Sequence, residues 1–164
     1  SVIQVSLGGL DGPFTAALLR AARRGVRVRV LLSGAWYVRE ENARLADTLN
    51  ERANSRDLPL SVQLADPGGR FEKVHAKGAI VDGEAVLVGS LNWNAHAARE
   101  NREVVLALRG REIADYYGRV FEADWSSGGG ADLPVGVLIA VALAALVAVW
   151  VGRRIDFEGG WNGY

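Results

Sequence analysis

From Leu133 to Val151 the chain runs 19 residues without a charged side chain, and this stretch bounds what the remainder can fold into. At 1.5 Å per residue a helix over it spans about 28 Å, close to one hydrocarbon core. Trp150 stands where an interfacial aromatic belongs, and Arg153-Arg154 follow at once. Ser126 to Gly130 reads SSGGG, a flexible linker by composition. A buried core helix or a cleaved signal fits poorly, because the segment is long, apolar, C-terminal and preceded by that linker. The expected organisation is a globular domain over 1–125, a Gly/Ser linker over 126–132, one transmembrane helix over 133–152 and a short polar tail over 153–164. The two arginines favour a cytoplasmic C-terminus, which places the globular domain outside the cell membrane, single-pass.

About 125 residues suffice for one compact domain with a real core. Lys plus Arg and Asp plus Glu both number 19, so no global charge points to a polyanionic partner. Cysteine is absent, which excludes disulfides and thiolate metal sites. Methionine is absent too, even at position 1; a natural reading frame starts with one, so the chain is expected to be a fragment or processed product with residues upstream of Ser1. Ser1 to Leu10 has no secretory signal, being short, uncharged and interrupted by glycine.

Val2, Ile3, Val5 and Leu7 suggest a short strand ended by Gly8-Gly9. Pro13 then suits a helix start, Phe14, Ala17, Leu18, Ala21 and Ala22 recur at helical spacing, and Gly25 closes the helix. Val26, Val28 and Val30 alternate with Arg27 and Arg29, and Leu31-Leu32 looks fully buried. Strand, helix and strand in this order predict a right-handed crossover in an α/β sheet. Val38 to Ala53 reads as a helix, Leu60 to Leu64 as a strand, and Asp66 to Gly69 as a loop. Val74 to Val81 and Glu84 to Gly89 form a predicted hairpin turned at Asp82-Gly83, one of the strongest short hairpin signals. Glu103 to Leu108 is a last strand and Arg111 to Trp125 an amphipathic helix. The fold class is therefore α/β, a mixed β-sheet flanked by helices, plus the C-terminal membrane helix.

The stretch Val74 to Glu103 carries the chemistry. On a strand, side chains two apart share a face, so His75 and Lys77 point the same way. An imidazole can attack phosphorus while the ammonium stabilises charge on the equatorial oxygens. The hairpin returns to Gly89-Ser90 and Asn92, where a hydroxyl and a carboxamide could donate to the same phosphate and Gly89 lets backbone approach closely. A carboxylate such as Glu103 could orient an imidazole and favour its protonated form.

His75-x-Lys77-x4-Asp82-x6-Gly89-Ser90-x-Asn92 resembles the signature of the phospholipase D superfamily at every defining position, and Asn101-x-Glu103 resembles its downstream acidic motif. Leu18 to Ser33 looks like the helix and strand that precede the motif in family members, so the resemblance covers about residues 1 to 125. It implies a phospholipase D-like, metal-independent and cofactor-free phosphodiesterase (hydrolase or phosphatidyltransferase) working through a phosphohistidine. Two His-Lys motifs meet at one site in that family. Carried over, His75 is the nucleophile or the acid/base, Lys77, Ser90 and Asn92 bind phosphate, and Glu103 hydrogen-bonds a histidine. Asp82 is explained by the hairpin turn and, with Gly89, is read as structural. Only one motif is present here, so the second is expected from a homodimer mate or from a missing N-terminal half.

The remaining candidates have plainer readings. His96 reads as a loop residue, and Trp93 as either packing or pocket lining. Arg20, Arg23, Arg24, Arg27 and Arg29 read as a solvated basic surface before they read as contacts to lipid headgroups or nucleic acid. Trp36 and Tyr37, just past a buried strand end, are candidate pocket residues. Two histidines 21 residues apart do not make a metal site. The expected substrate is a phosphodiester, phospholipid ahead of nucleic acid. A nuclease of the same superfamily and a catalytically silent membrane-anchored binding module are the alternatives.

Overall fold

The structure, a computed structural model, describes residues 1–4, 6–66 and 71–128; the expected membrane helix and tail lie outside them. Among the described residues no helix is long and apolar enough to cross a membrane. The elements follow in the order β1 (Val2–Gln4), α1 (Pro13–Arg23), β2 (Val28–Ser33), α2 (Arg39–Asn54), β3 (Leu60–Ala65), β4 (Gly78–Val81), β5 (Ala85–Gly89), α3 (Ala95–Glu100), β6 (Val105–Arg109) and α4 (Arg111–Gly128). The strands form one six-stranded sheet in the order β3-β2-β1-β4-β5-β6. β1, β2 and β3 are parallel to one another, whereas β4 runs antiparallel to β1 and begins an antiparallel β4-β5-β6 meander. The mixed α/β sheet expected from the sequence is what forms.

The periods of the strands divide the core in two. Val2, Val28, Val30, Leu32, Leu60, Val62 and Ala79 face one side, where Leu19 and Ala22 of α1 and Leu45, Leu49 and Ala53 of α2 cover them. Leu31, Ala65, Ile3 and Ile80 face the other, against Phe121 and Trp125 of α4. The buried stripe of α1 comprises Thr15, Leu19 and Ala22. Thr15 is inside, and Ala17 outside, because the Thr15 hydroxyl donates to the Gly9 carbonyl at 2.8 Å and ties the helix start to the loop before it. β3 is an edge strand, and Asn50 of α2 satisfies its outward backbone: the amide donates to Val62 O at 2.9 Å and accepts from Val62 N at 2.9 Å.

The structure departs from the sequence reading at several points. The hairpin's first strand begins at Gly78 and not at Val74. A helix not expected at all, α3, forms on Asn94, whose side chain accepts from Ala97 N at 2.8 Å. Helix α4 continues through Ser126 and Ser127, so the linker does not begin at 126. Their hydroxyls donate back to the carbonyls of Glu122 and Ala123, both at 2.8 Å.

Arg29 of β2 ties α4 to the sheet. Its guanidinium pairs with both carboxylate oxygens of Glu122 and lies 5.1 Å from the Phe121 ring centroid and 5.3 Å from that of Trp125. The pair is partly solvated, so it contributes about 1 kcal/mol or less, and the burial of Phe121 dominates this seam. Phe121 is 2 % exposed, and Phe121→Ala is expected to cost about 3–5 kcal/mol in urea denaturation, several times the effect of Glu122→Gln.

Candidate active site

The topology brings the motif to one edge. β4 is antiparallel to β1, so the residues entering β4 lie at the C-terminal end of the parallel strands. The meander returns the end of β5 and the start of β6 to that same edge. His75 and Lys77 therefore lie at the same end of the sheet as Ser90, Asn92, Asn101 and Glu103, although the chain leaves and re-enters the sheet between them.

His75 and Lys77 precede β4 and lie off the regular ladder, yet the Gly89 amide still donates to Lys77 O at 3.3 Å. Lys77 Nζ lies 2.9 Å from Nδ1 and 3.2 Å from Nε2 of His75, and donates to His75 O at 3.0 Å. The two side chains share a face, as their spacing predicted. His75 is exposed, whereas Lys77 is only 9 % exposed. Among the described residues no carboxylate lies within salt-bridge distance of Lys77. A nearly buried ammonium held by neutral acceptors leaves an unfilled demand for an anion.

The protonation states follow. Burial first, then the charges of Lys77 and Lys73, pushes the His75 imidazole below its ordinary 6.5. Burial lowers the Lys77 ammonium, with the charge of Glu103 acting in the opposite sense. A neutral imidazole can accept from that ammonium through an unprotonated ring nitrogen, which agrees with the lowered value.

Among the described residues, the hydrogen-bond partners of Glu103 are Ser90 and Asn101 and not His75. It accepts from the Ser90 hydroxyl in a short hydrogen bond and from Asn101 Nδ2 at 3.1 Å. Those two bonds, in that order, hold its carboxyl below the ordinary carboxylate range, helped by the charge of Lys77. Ser90 Oγ also accepts from Val104 N at 3.1 Å, so its hydroxyl fastens β5 to β6 and its hydrogen is directed at Glu103. Asn92 Oδ1 is buried with no partner among the described residues. Gly89 does permit close approach, but to this chain's own strand: a Cβ there would lie 2.0 Å from Val104 O. Asp82 sits in the hairpin turn at the opposite edge, with φ of 53° at Asp82 and 65° at Gly83 and the Glu84 amide donating to Val81 O at 3.0 Å.

Several residues take roles the sequence left open or missed. Trp93 is packing: it stacks on Phe14 with centroids 5.4 Å apart. His96 lies exposed on α3 and not in a loop. Trp36 and Tyr37 are 86 % and 44 % exposed, a rim and not a pocket wall. Gln4 was missed. It is fully buried in β1, one residue beyond the Ile3–Gly78 pair and therefore in register with Lys77. Its Oε1 accepts from Trp93 N at 3.3 Å, which leaves Nε2 buried without a partner among the described residues. The available signal was a polar residue at an inward position of an apolar strand. No group of three or more potential metal ligands occurs among the described residues.

This end of the α/β sheet thus carries an imidazole and a sheltered ammonium in contact, with hydroxyl and carboxamide side chains on the neighbouring strand ends. Residues 2–125 match the family described as "Cardiolipin synthase, PLD-like domain". The chain belongs to this family of the phospholipase D superfamily. It is 35 % identical over 109 residues to a mitochondrial cardiolipin hydrolase of Xenopus tropicalis, covering 66 % of this chain and 47 % of that protein. It is 29 % identical over 117 residues to a phospholipase D of Rickettsia felis, covering 71 % and 53 %. The chain thus spans about half the length of these curated relatives. Two solved structures share the fold: NucT from Helicobacter pylori (TM-score 0.60, 20 % identity, 77 % of each chain) and the phospholipase D family member Nuc from Salmonella typhimurium (TM-score 0.57, 23 % identity, 77 % of each chain).

The lowered affinity of His75 for a proton has a direct check. In an NMR titration its midpoint is expected below 6.5, and Lys77→Ala is expected to raise it. The sign follows by linkage. Between the folded and unfolded midpoints the unfolded chain binds more protons, so this group's contribution to stability falls as pH drops through that window.

Proposed function

We propose that the domain is a phosphodiesterase or phosphatidyltransferase of the phospholipase D type, metal-independent and acting through a phosphohistidine on His75. The observation that carries this reading is the nearly buried Lys77 ammonium beside His75, with no carboxylate in salt-bridge range among the described residues. A phosphate diester supplies the missing negative charge. As it binds, Lys77 moves from the ring nitrogen to a phosphoryl oxygen and frees the imidazole lone pair. That nitrogen attacks phosphorus, forming a P–N bond as the P–O bond to the leaving alcohol breaks. The lowered proton affinity of His75 suits the nucleophile better than the acid. The acid that protonates the leaving oxygen is the histidine of a second motif, from a second copy of the chain or from a longer chain. Water or an alcohol, deprotonated by that histidine, then cleaves the P–N bond.

Asn92 is a phosphate contact in this scheme. Glu103 is already fixed by Ser90 and Asn101 and is available to the incoming second histidine. Phospholipid is the preferred substrate, because the sequence carries the uncharged stretch Leu133 to Val151 and the relatives above are named for lipid hydrolysis. That stretch is the proposed single-pass anchor, with the C-terminus cytoplasmic and the domain on the other side of the cell membrane. A nuclease reading draws less support. Arg20, Arg23, Arg24 and Arg27 flank the start of β2, at the sheet edge away from His75.

The test uses the full chain, a chromogenic phosphodiester and phospholipid vesicles, with a metal chelator present throughout. Turnover should persist in chelator and fall about 10³-fold or more in His75→Ala, and acid-quenched protein should carry an acid-labile phosphoryl group. Cleavage of DNA with phospholipid untouched would favour the nuclease. Turnover unchanged by His75→Ala would sink the mechanism, and no turnover even with the second motif supplied would leave a silent binding module.

A further inference from the structure

Trp36 is the most exposed large apolar side chain among the described residues, at 86 %, and it does not stand alone. Its ring meets Tyr37 edge-on with centroids 5.5 Å apart. Lys73 Nζ lies 5.6 Å from the centroid of Tyr37, which joins the turn after β2 to the segment that leads into His75. On that segment Phe71 is 57 % exposed. The charge of Lys73 is felt at the His75 ring, so the aromatic cluster and the candidate active site are neighbours. The topology agrees: Trp36 and Tyr37 leave β2 at the edge where β4 begins, two strands away, or about 10 Å.

We propose that Trp36, Tyr37, Phe71 and Lys73 form a docking rim that seats in the headgroup–acyl boundary of a phospholipid bilayer and delivers the scissile phosphodiester to His75. Trp and Tyr rings are amphipathic and collect at that depth, and a lysine stem beside them can lie along apolar surface while its ammonium stays among phosphates. Solvent exposure of an indole is costly in water and is relieved there. The other macromolecule with an appetite for stacked rings and a cation is single-stranded nucleic acid. That partner needs several cations along its backbone path as well as rings. Among the described residues of this rim, Arg39 and Lys73 stand beside Glu40, Glu41 and Glu72 in the sequence, a mixed-sign surround with no run of cations for a polyanion, so partition of the rings carries the binding. The inference rests on the lipid reading of the site, and it adds where and in what orientation the lipid surface meets the domain.

The chain has no cysteine, so Trp36→Cys carries a single environment-sensitive fluorophore in place of the indole. Ser55→Cys labels the opposite end of α2, 16 helical residues or about 24 Å away. The full chain is studied in phosphatidylglycerol–phosphatidylcholine vesicles, so that any tether acts equally on both labels. The label at 36 should shift to the blue, be quenched by spin-labelled lipid and lose most of its quenching by aqueous iodide, while the label at 55 remains water-accessible. Equal behaviour of the two labels, or a shift at 36 produced by an oligothymidylate and not by vesicles, would overturn the proposal. The readout is independent of turnover. Hydrolysis without a shift at 36 removes the rim and spares the enzyme reading, whereas a shift without hydrolysis does the reverse.

Discussion

Two backbone pairings, Val2 with Ala79 and Ile3 with Gly78, join the parallel half of the sheet to its antiparallel half, and the site depends on them. They align the end of β1 with the entry to β4. Through β5 and β6 the same alignment places Ser90, Asn101 and Glu103 at the end of the sheet that carries His75 and Lys77. A slip of one residue here would turn Lys77 and His75 to the α4 side and expose Ala79's neighbours to the wrong core. The register is held by close contact as well as by burial: a Cβ at Gly78 would meet Leu87 O at 2.6 Å, so only glycine lets β4 and β5 lie this close.

Above that seam, the electrostatics divide by burial. Lys77 is sheltered and His75 is open, the arrangement expected where a fixed cation must hold a ligand that arrives from solvent. The cost of sheltering Lys77 is partly offset by its hydrogen bonds to His75 and by the field of Glu103, and the remainder is what a phosphate can relieve. Burial first, and this cation second, lower the proton affinity of the neighbouring imidazole. In the proposed mechanism this one cation both holds the phosphate and favours an unprotonated His75.

What was legible in the sequence was local. The Asp82-Gly83 turn, the α1–β2 unit with Pro13 and Gly25, and the His75-Lys77 pair each express their physics within a few residues. What was hidden depends on partners far along the chain. The strand expected from Val74 starts at Gly78, where it pairs with β1, more than seventy residues earlier in the sequence. Gln4 looks unremarked in an apolar run until Trp93 donates to it across 89 positions. The hydroxyl of Ser90 reads as a phosphate donor until β6 places Glu103 against it. Helix α3 is a milder case, since the Asn94 cap was visible but six residues are too few for a periodic signal.

The charge layout separates two kinds of phosphate chemistry. A protein that tracks a polynucleotide spreads cations along a path, whereas one that takes a diester from a surface can concentrate one cation at the reacting group and let apolar contact do the rest. Here the arginines of α1 and the start of β2 are at the edge away from His75, and Arg29 is already engaged by Glu122, Phe121 and Trp125. At the end of the sheet that carries His75, exposed aromatic rings stand beside Lys73, and the exposed Arg99 and Arg102 are interspersed with Glu100 and Glu103. With equal numbers of acidic and basic residues, long-range steering contributes little, so recognition falls to short-range contacts at that edge. In the proposed lipid reading, a single sheltered ammonium with rings on its rim takes a phosphate presented at an apolar boundary in preference to a long polyanion free in water.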